Sequence, residues 1–249
     1  MAPREGRLTL DGRRVRYREA GCGPPCVVVH GLGLSSGFWV PHFPSFAAAG
    51  LRLVAPDLPG FGGSAGGRLG LGVGETAEWL LAFAAALDLA MPAWIGHSLA
   101  AQATMELAVR APHRARALVL ASPTGAPGRW RLARQVVGFL RDIGREPPAL
   151  IPIVAREYLK GSLPAFLGTW LRAAGDHPLE KARRIGCPTL VVVGRDDPVV
   201  PPTFIELLLQ RIPKSRLAVL PGGAHGVVSD RSGEFDSVAT AFLRECLRG

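Results

Sequence analysis

The stretch that decides the reading is "WIGHSLAAQ", residues 94–102. An apolar run ends at Gly96, a helix-forming run begins at Leu99, and Ser98 stands between them. In a strand–turn–helix of the Gly-x-Ser-x-Gly kind, the serine sits on a strained turn that throws its hydroxyl out at the carboxyl edge of a sheet. The flanking small residues matter because side chains two positions either side would collide with the strand or the helix. Here the second glycine has become Ala100, one methyl group larger. A serine opening a helix is also an ordinary N-cap, so "GHS" alone leaves both readings open. What separates them is whether the rest of the chain supplies a base, an acid and an oxyanion site in a compatible order.

Working outward, short apolar runs alternate with helical ones. "RLTL" and "RVRYRE" flank the turn "DGR", a β-hairpin signal. "CVVVH" (26–30), "LRLVAPD" (51–57), "PAWIG" (92–96), "RALVLAS" (116–122), "PTLVVVG" (188–194) and "SRLAVLPG" (215–222) read as further strands. Helices are expected over 38–49, 75–87, 99–110, 202–211 and 235–247. Continuous apolar strands are those buried on both faces, so the expected fold class is α/β, with a mostly parallel sheet of about eight strands flanked by helices. The rhythm breaks between Gly125 and Arg184, where proline-punctuated helical pieces carry arginines and large apolar residues but no strand pattern. Residues 1–124 and 185–249 therefore read as the core, and 125–184 as a small helical cap inserted on top of it. An insertion of that size is too short to be expected to fold alone.

Two later strand ends complete a constellation. Asp197 lies three residues beyond Gly194, and His225 follows the next strand in "PGGAH". Ser98, Asp197 and His225 thus each trail a strand's carboxyl end, the edge at which open parallel sheets bind ligands. A serine hydroxyl is a weak nucleophile until a histidine takes its proton. A carboxylate then holds the imidazole's tautomer and stabilises the imidazolium. Asp196 competes with Asp197 for the acid role, and spacing favours Asp197; the loop "SPTGAPG" after the preceding strand offers no carboxylate. His97 reads as a packing histidine, and His42, His113 and His177 lack a strand-end context. Backbone amides would form the oxyanion site: Leu99 at a helix N-terminus, and Leu32 in the loop after "VVVHG". The loop "GLGLSSG" has neither dinucleotide nor P-loop spacing.

Composition narrows the rest. The chain has 249 residues, enough for one domain with a large core, and a mean hydropathy of +0.21. A formal charge of +9 invites a nucleic-acid reading. However, the basic residues are nearly all arginine, only Lys160, Lys181 and Lys214 are lysines, and asparagine is absent. A GC-rich genome accounts for that bias, and the arginines are scattered rather than interleaved with aromatics, so no nucleic-acid partner is expected. Cys22, Cys26, Cys187 and Cys246 show no metal-type spacing; a Cys22–Cys26 disulfide is conceivable on separation alone. The N-terminus lacks an apolar core, and the longest apolar stretch, 79–95, is broken by Asp88 and Pro92. A soluble cytoplasmic protein with no membrane partner is the expectation. The oligomeric state is left open.

Taken in order, "HGLGLSSGFW", "PDLPGFGGS", "GHSLA", "GRDDPVVP" and "GGAH" resemble the α/β-hydrolase superfamily across nearly the whole chain outside 125–184. The resemblance implies Ser98 as nucleophile, Asp197 as acid, His225 as base, Leu32 and Leu99 as oxyanion donors, and no metal or organic cofactor. Ala100 departs from the family's usual glycine. A serine at the elbow sets the chain apart from haloalkane dehalogenases and epoxide hydrolases, which use a carboxylate there. The implied activity is cleavage of a carboxylic ester of a small apolar or aromatic substrate through an acyl-enzyme. Alternatives are hydrolysis of a carbon–carbon bond in a vinylogous diketone acid, thioester or lactone cleavage, and a non-hydrolytic binding or biosynthetic protein. Trp130, Phe139, Phe166 and Trp170 are candidates for the pocket roof, or equally for packing the cap onto the sheet. Arg129, Arg131 and Arg134 could meet an acidic group, with surface solvation the favoured reading of the two.

Overall fold

The computed structural model describes residues 2–66, 69–128, 131–143 and 163–247. Strands β1 (Arg4–Leu10), β2 (Arg13–Ala20), β3 (Pro25–Val29), β4 (Arg52–Pro56), β5 (Ala93–His97), β6 (Leu118–Ala121), β7 (Thr189–Gly194) and β8 (Ser215–Leu220) form one sheet. Its order is β1-β2-β4-β3-β5-β6-β7-β8. The β1–β2 and β2–β4 pairings are antiparallel, and every pairing from β4 to β8 is parallel. All the parallel strands therefore present their carboxyl ends at one edge.

Alternation along each strand divides the core into two layers. Val27, Val29, Val54, Trp94, Leu118, Leu120 and Val191 face one cluster, while Cys26, Val28, Leu53, Ile95, Val119 and Val192 face the other. The first layer is covered by α2 (Val73–Ala86), α3 (Leu99–Arg110) and α7 (Pro202–Arg211). The second is covered by α1 (Phe43–Ala48) and α9 (Ser232–Leu247), through Phe43, Phe46, Phe235, Phe242 and Leu243. Each fully buried Val, Leu, Ile or Phe side chain contributes about 1.5–3 kcal/mol. Covering both faces is what makes the central strands read as unbroken apolar runs.

Three more helices fall within 125–184: α4 (Arg131–Ile143), α5 (Leu163–Ala173) and α6 (Pro178–Ala182). No strand occurs among the described residues of that stretch. The last described short helix is α8 (Val227–Asp230). One expected helix takes a different form. Instead of a single helix over 38–49, a 3₁₀ turn spans Ser36–His42 and α1 begins at Phe43. Pro41 and Pro44 explain the break, since each lacks the N–H that a continuous helix would use. All four cysteines are free thiols, so the conceivable Cys22–Cys26 bridge is not formed. Among the described residues no helix is long and apolar enough to cross a membrane.

Candidate active site

Ser98 follows β5 and precedes α3 with φ +57° and ψ −119°, a left-handed backbone that an L-residue adopts only under constraint. Its neighbours supply the constraint. A Cβ at residue 96 would lie 2.7 Å from the Ala100 carbonyl oxygen and from Ala101, so only glycine lets β5 and α3 meet this closely. Ala100 itself is 2 % exposed, packed into the core, so the extra methyl relative to glycine is accommodated.

The carboxyl edge brings the three strand-end residues together. Ser98 Oγ lies 2.9 Å from His225 Nε2. His225 Nδ1 lies 3.0 Å and 3.3 Å from the two carboxylate oxygens of Asp197. Asp197 Oδ1 also accepts the amides of Val199 (2.8 Å) and Val200 (3.1 Å). An acceptor carboxylate at Nδ1 selects the tautomer whose Nε2 is free to accept the serine proton. Burial alone would raise the Asp197 pKa; the His225 ring and the two amides outweigh it and hold the carboxyl below its ordinary value. Asp196 donates its amide to the Gly223 carbonyl at 2.9 Å.

His97 is indeed packed, and its contacts are specific. Its ring stacks on Phe38 with centroids 5.1 Å apart, and Nε2 donates to the His225 carbonyl at 3.2 Å. Burial, then the neighbouring His225 ring, push its pKa down to about 3, so it stays neutral. His42 is buried and its Nδ1 meets Asp236 at 2.6 Å; His113 and His177 are exposed.

Leu32 and Leu99, the expected oxyanion donors, border the same cavity as Ser98. That cavity holds about 420 Å³ of empty space, counting the part open to solvent. Gln102, Thr124, Gln135, Phe139 and Trp170 also line it. Phe139 and Trp170 are thus placed at the cavity, and Phe166 is not among its walls. Trp130 and Arg129 lie outside the described residues, as do the side chains of Arg131 and Arg134. Among the described residues no charged side chain lines the cavity, and no group of three or more His, Cys, Asp or Glu side chains is gathered to hold a metal ion.

Two features of the site escaped sequence reasoning. Asp57, after β4, accepts the amides of Ser36 and Gly63 and the Nε of Arg16, and so braces the loop that carries Leu32. His30 reinforces it, its Nε2 accepting the Leu58 amide at 3.0 Å. The second is Asp142 on α4, whose Oδ1 accepts the His225 amide at 2.9 Å. The motif "PDLPGFGGS" could have pointed to Asp57 as a strand-end carboxylate; nothing local in "FLRDIG" marks Asp142.

Residues 26–237 match the alpha/beta hydrolase family. The chain belongs to that family. It is 29% identical to the dihydrolipoyllysine-residue acetyltransferase component of the acetoin cleaving system of Pseudomonas putida, over 98% of this chain and 70% of that protein. It is 26% identical to 2-hydroxy-6-oxo-6-phenylhexa-2,4-dienoate hydrolase of Comamonas testosteroni, over 93% and 91% of the two chains. Among solved structures, a thermophilic esterase from Thermogutta terrifontis superposes with a TM-score of 0.85 at 20% identity, over 98% and 99% of the two chains. At that identity the superposition speaks for the fold.

Proposed function

We propose that this protein is a serine hydrolase that cleaves a carboxylic ester of a small, uncharged apolar or aromatic substrate. The observation that carries the reading is the continuous hydrogen-bonded path from Ser98 Oγ through the His225 ring to Asp197. In this reading Ser98 attacks the ester carbonyl while His225 Nε2 takes its proton. Asp197 keeps the ring oriented and offsets the positive charge that develops on it. The carbonyl oxygen, now negative, accepts the amides of Leu32 and Leu99, the latter at the positive end of α3. His225 then returns the proton to the leaving alcohol, and water attacks the acyl-enzyme by the same route in reverse.

In the same reading the helices of 125–184 roof the pocket, with Phe139 and Trp170 against the acyl or aromatic portion. The uncharged lining among the described residues favours a neutral ester. A second reading, hydrolysis of a carbon–carbon bond in a diketone acid, draws on the Comamonas hydrolase named above. That substrate class carries a carboxylate, for which the described lining offers no cation.

The test uses p-nitrophenyl esters of graded chain length beside Ser98→Ala, with a fluorophosphonate probe. Turnover and labelling, both lost in Ser98→Ala, support the ester reading. Labelling without turnover shifts the assignment to the carbon–carbon, thioester or lactone chemistries. A protein that neither turns over nor labels is no serine hydrolase.

A further inference from the structure

One face of α4 is unlike the rest of the helix. Gln135, Gly138, Phe139 and Asp142 fall at positions i, i+3, i+4 and i+7, which share a side of a helix. All four touch the carboxyl edge. Gln135 lines the cavity. At Gly138 a Cβ would come within 2.8 Å of the Pro198 carbonyl oxygen and 2.9 Å of the Val199 Cα, so the helix lies directly on the loop that follows Asp197. The Phe139 ring meets the His225 imidazole edge-on at 5.2 Å. Val136, Val137 and Leu140 of the same helix are exposed.

Asp142 is the odd member of this face. A carboxylate near a helix C-terminus opposes the helix dipole, and this one is only 6 % exposed, where burial penalises charge. A residue that breaks both rules needs a compensating contact. The compensation is the His225 amide, 83 residues away in sequence and 2.9 Å away in space. The His225 carbonyl is held in turn by His97 Nε2. Both peptide groups of His225 are therefore fixed, one from the core and one from α4.

We propose that Asp142 is a positioning residue for His225: by accepting the His225 amide it fixes the loop that aims the imidazole, and it makes α4 a working part of the reactive assembly. This rests on the serine-hydrolase reading for its consequence, not for its geometry. Burial raises the Asp142 pKa, and Asp197 and Asp230 add to the rise, while the His225 amide and ring oppose it. Through the amide bond either protonation state still offers an acceptor oxygen.

The test compares Asp142→Ala with Asp142→Asn in the full chain. Asn keeps an acceptor oxygen and Ala removes it. One readout is the low-field proton resonance of His225 Nδ1–H, which reports its alignment with Asp197. The other is kcat and KM on a p-nitrophenyl ester. In Asp142→Ala the resonance should broaden or move upfield and kcat should fall about 10-fold or more, with KM within about 3-fold. Asp142→Asn should restore both. An unchanged resonance in the Ala variant, a loss confined to KM, or a loss that Asn does not restore would overturn the proposal. In the unaltered protein the His225 amide should exchange with solvent at least about 100-fold more slowly than an open loop amide; free exchange would also overturn it, even if the Ala variant did not fold. Should the parent protein hydrolyse no ester, the resonance and exchange measurements still decide the positioning, and only the hydrolase reading falls.

Discussion

Asp57 and Asp197 are built alike but face different partners. Each follows the carboxyl end of a parallel strand, β4 for one and β7 for the other. Their side chains are 0 % and 2 % exposed. Each accepts two backbone amides, Ser36 and Gly63 at 2.7 Å for Asp57, Val199 and Val200 at 2.8 and 3.1 Å for Asp197. In both, burial pushes the pKa up, while hydrogen bonds and a neighbouring imidazole pull it below the ordinary value. The third partner differs: Arg16 Nε at 2.6 Å beside Asp57, His225 Nδ1 at 3.0 Å beside Asp197. Guanidinium does not release its proton in a protein, so Asp57 is a fixed brace. Imidazole gains and loses one near neutrality. If the chain is the serine hydrolase proposed above, the same carboxylate environment serves as a brace at one strand end and as the imidazole's partner in proton transfer at the other.

Asp197→Asn keeps the shape and removes the charge, and should lower kcat on a p-nitrophenyl ester by about 10⁴-fold, near 5.5 kcal/mol of barrier. Retained activity there would erase the distinction. Asp57→Asn should instead cost stability, about 3–5 kcal/mol by urea denaturation, because Arg16 is left beside a buried amide. Its kcat, read where the chain is folded, should change by only about 3-fold.

Lowering the pH titrates these buried groups in separate windows. His97 has its folded pKa lowered to about 3. The unfolded chain thus binds a proton that the folded chain refuses, and stability falls as pH drops from about 6.5, by about 2 kcal/mol at pH 5. His97→Gln should flatten that slope in denaturation curves at pH 7 and pH 5. The two depressed carboxyls act lower. Their contribution is fully present above about pH 4 and is lost as pH falls through their folded values. A wild-type slope absent between pH 6.5 and 5 would count against the buried neutral His97. The smallest expected change is Ala100→Gly, about 1 kcal/mol of stability from helix propensity, with kcat within about 3-fold.

The strands and the three strand-end residues were legible because a sheet covered on both faces leaves unbroken apolar runs such as "CVVV" and "LVVV", and the chain must turn where they stop. Ser98, Asp197 and His225 stand at those stops. Other features depended on distance in space. The Arg16–Asp57 pair spans 41 residues and the Asp142–His225 bond 83, and neither has a periodic signature. Pro41 and Pro44 were visible, yet the helical composition around them outweighed their breaking effect in the reading of 38–49. On α4 the periodicity marks an apolar stripe, but it does not tell which side carries a buried acid.

The free thiols share a location that has a practical outcome. Cys22 lies just before β3, Cys26 at its start, and Cys187 just before β7. The Cys246 carbonyl accepts Arg116 Nε two residues ahead of β6. All four therefore gather at the amino rim, across the sheet from Ser98, and of them Cys22 alone is exposed. A maleimide tether placed on Cys22 would anchor the molecule to a surface by the rim opposite Ser98, Asp197 and His225.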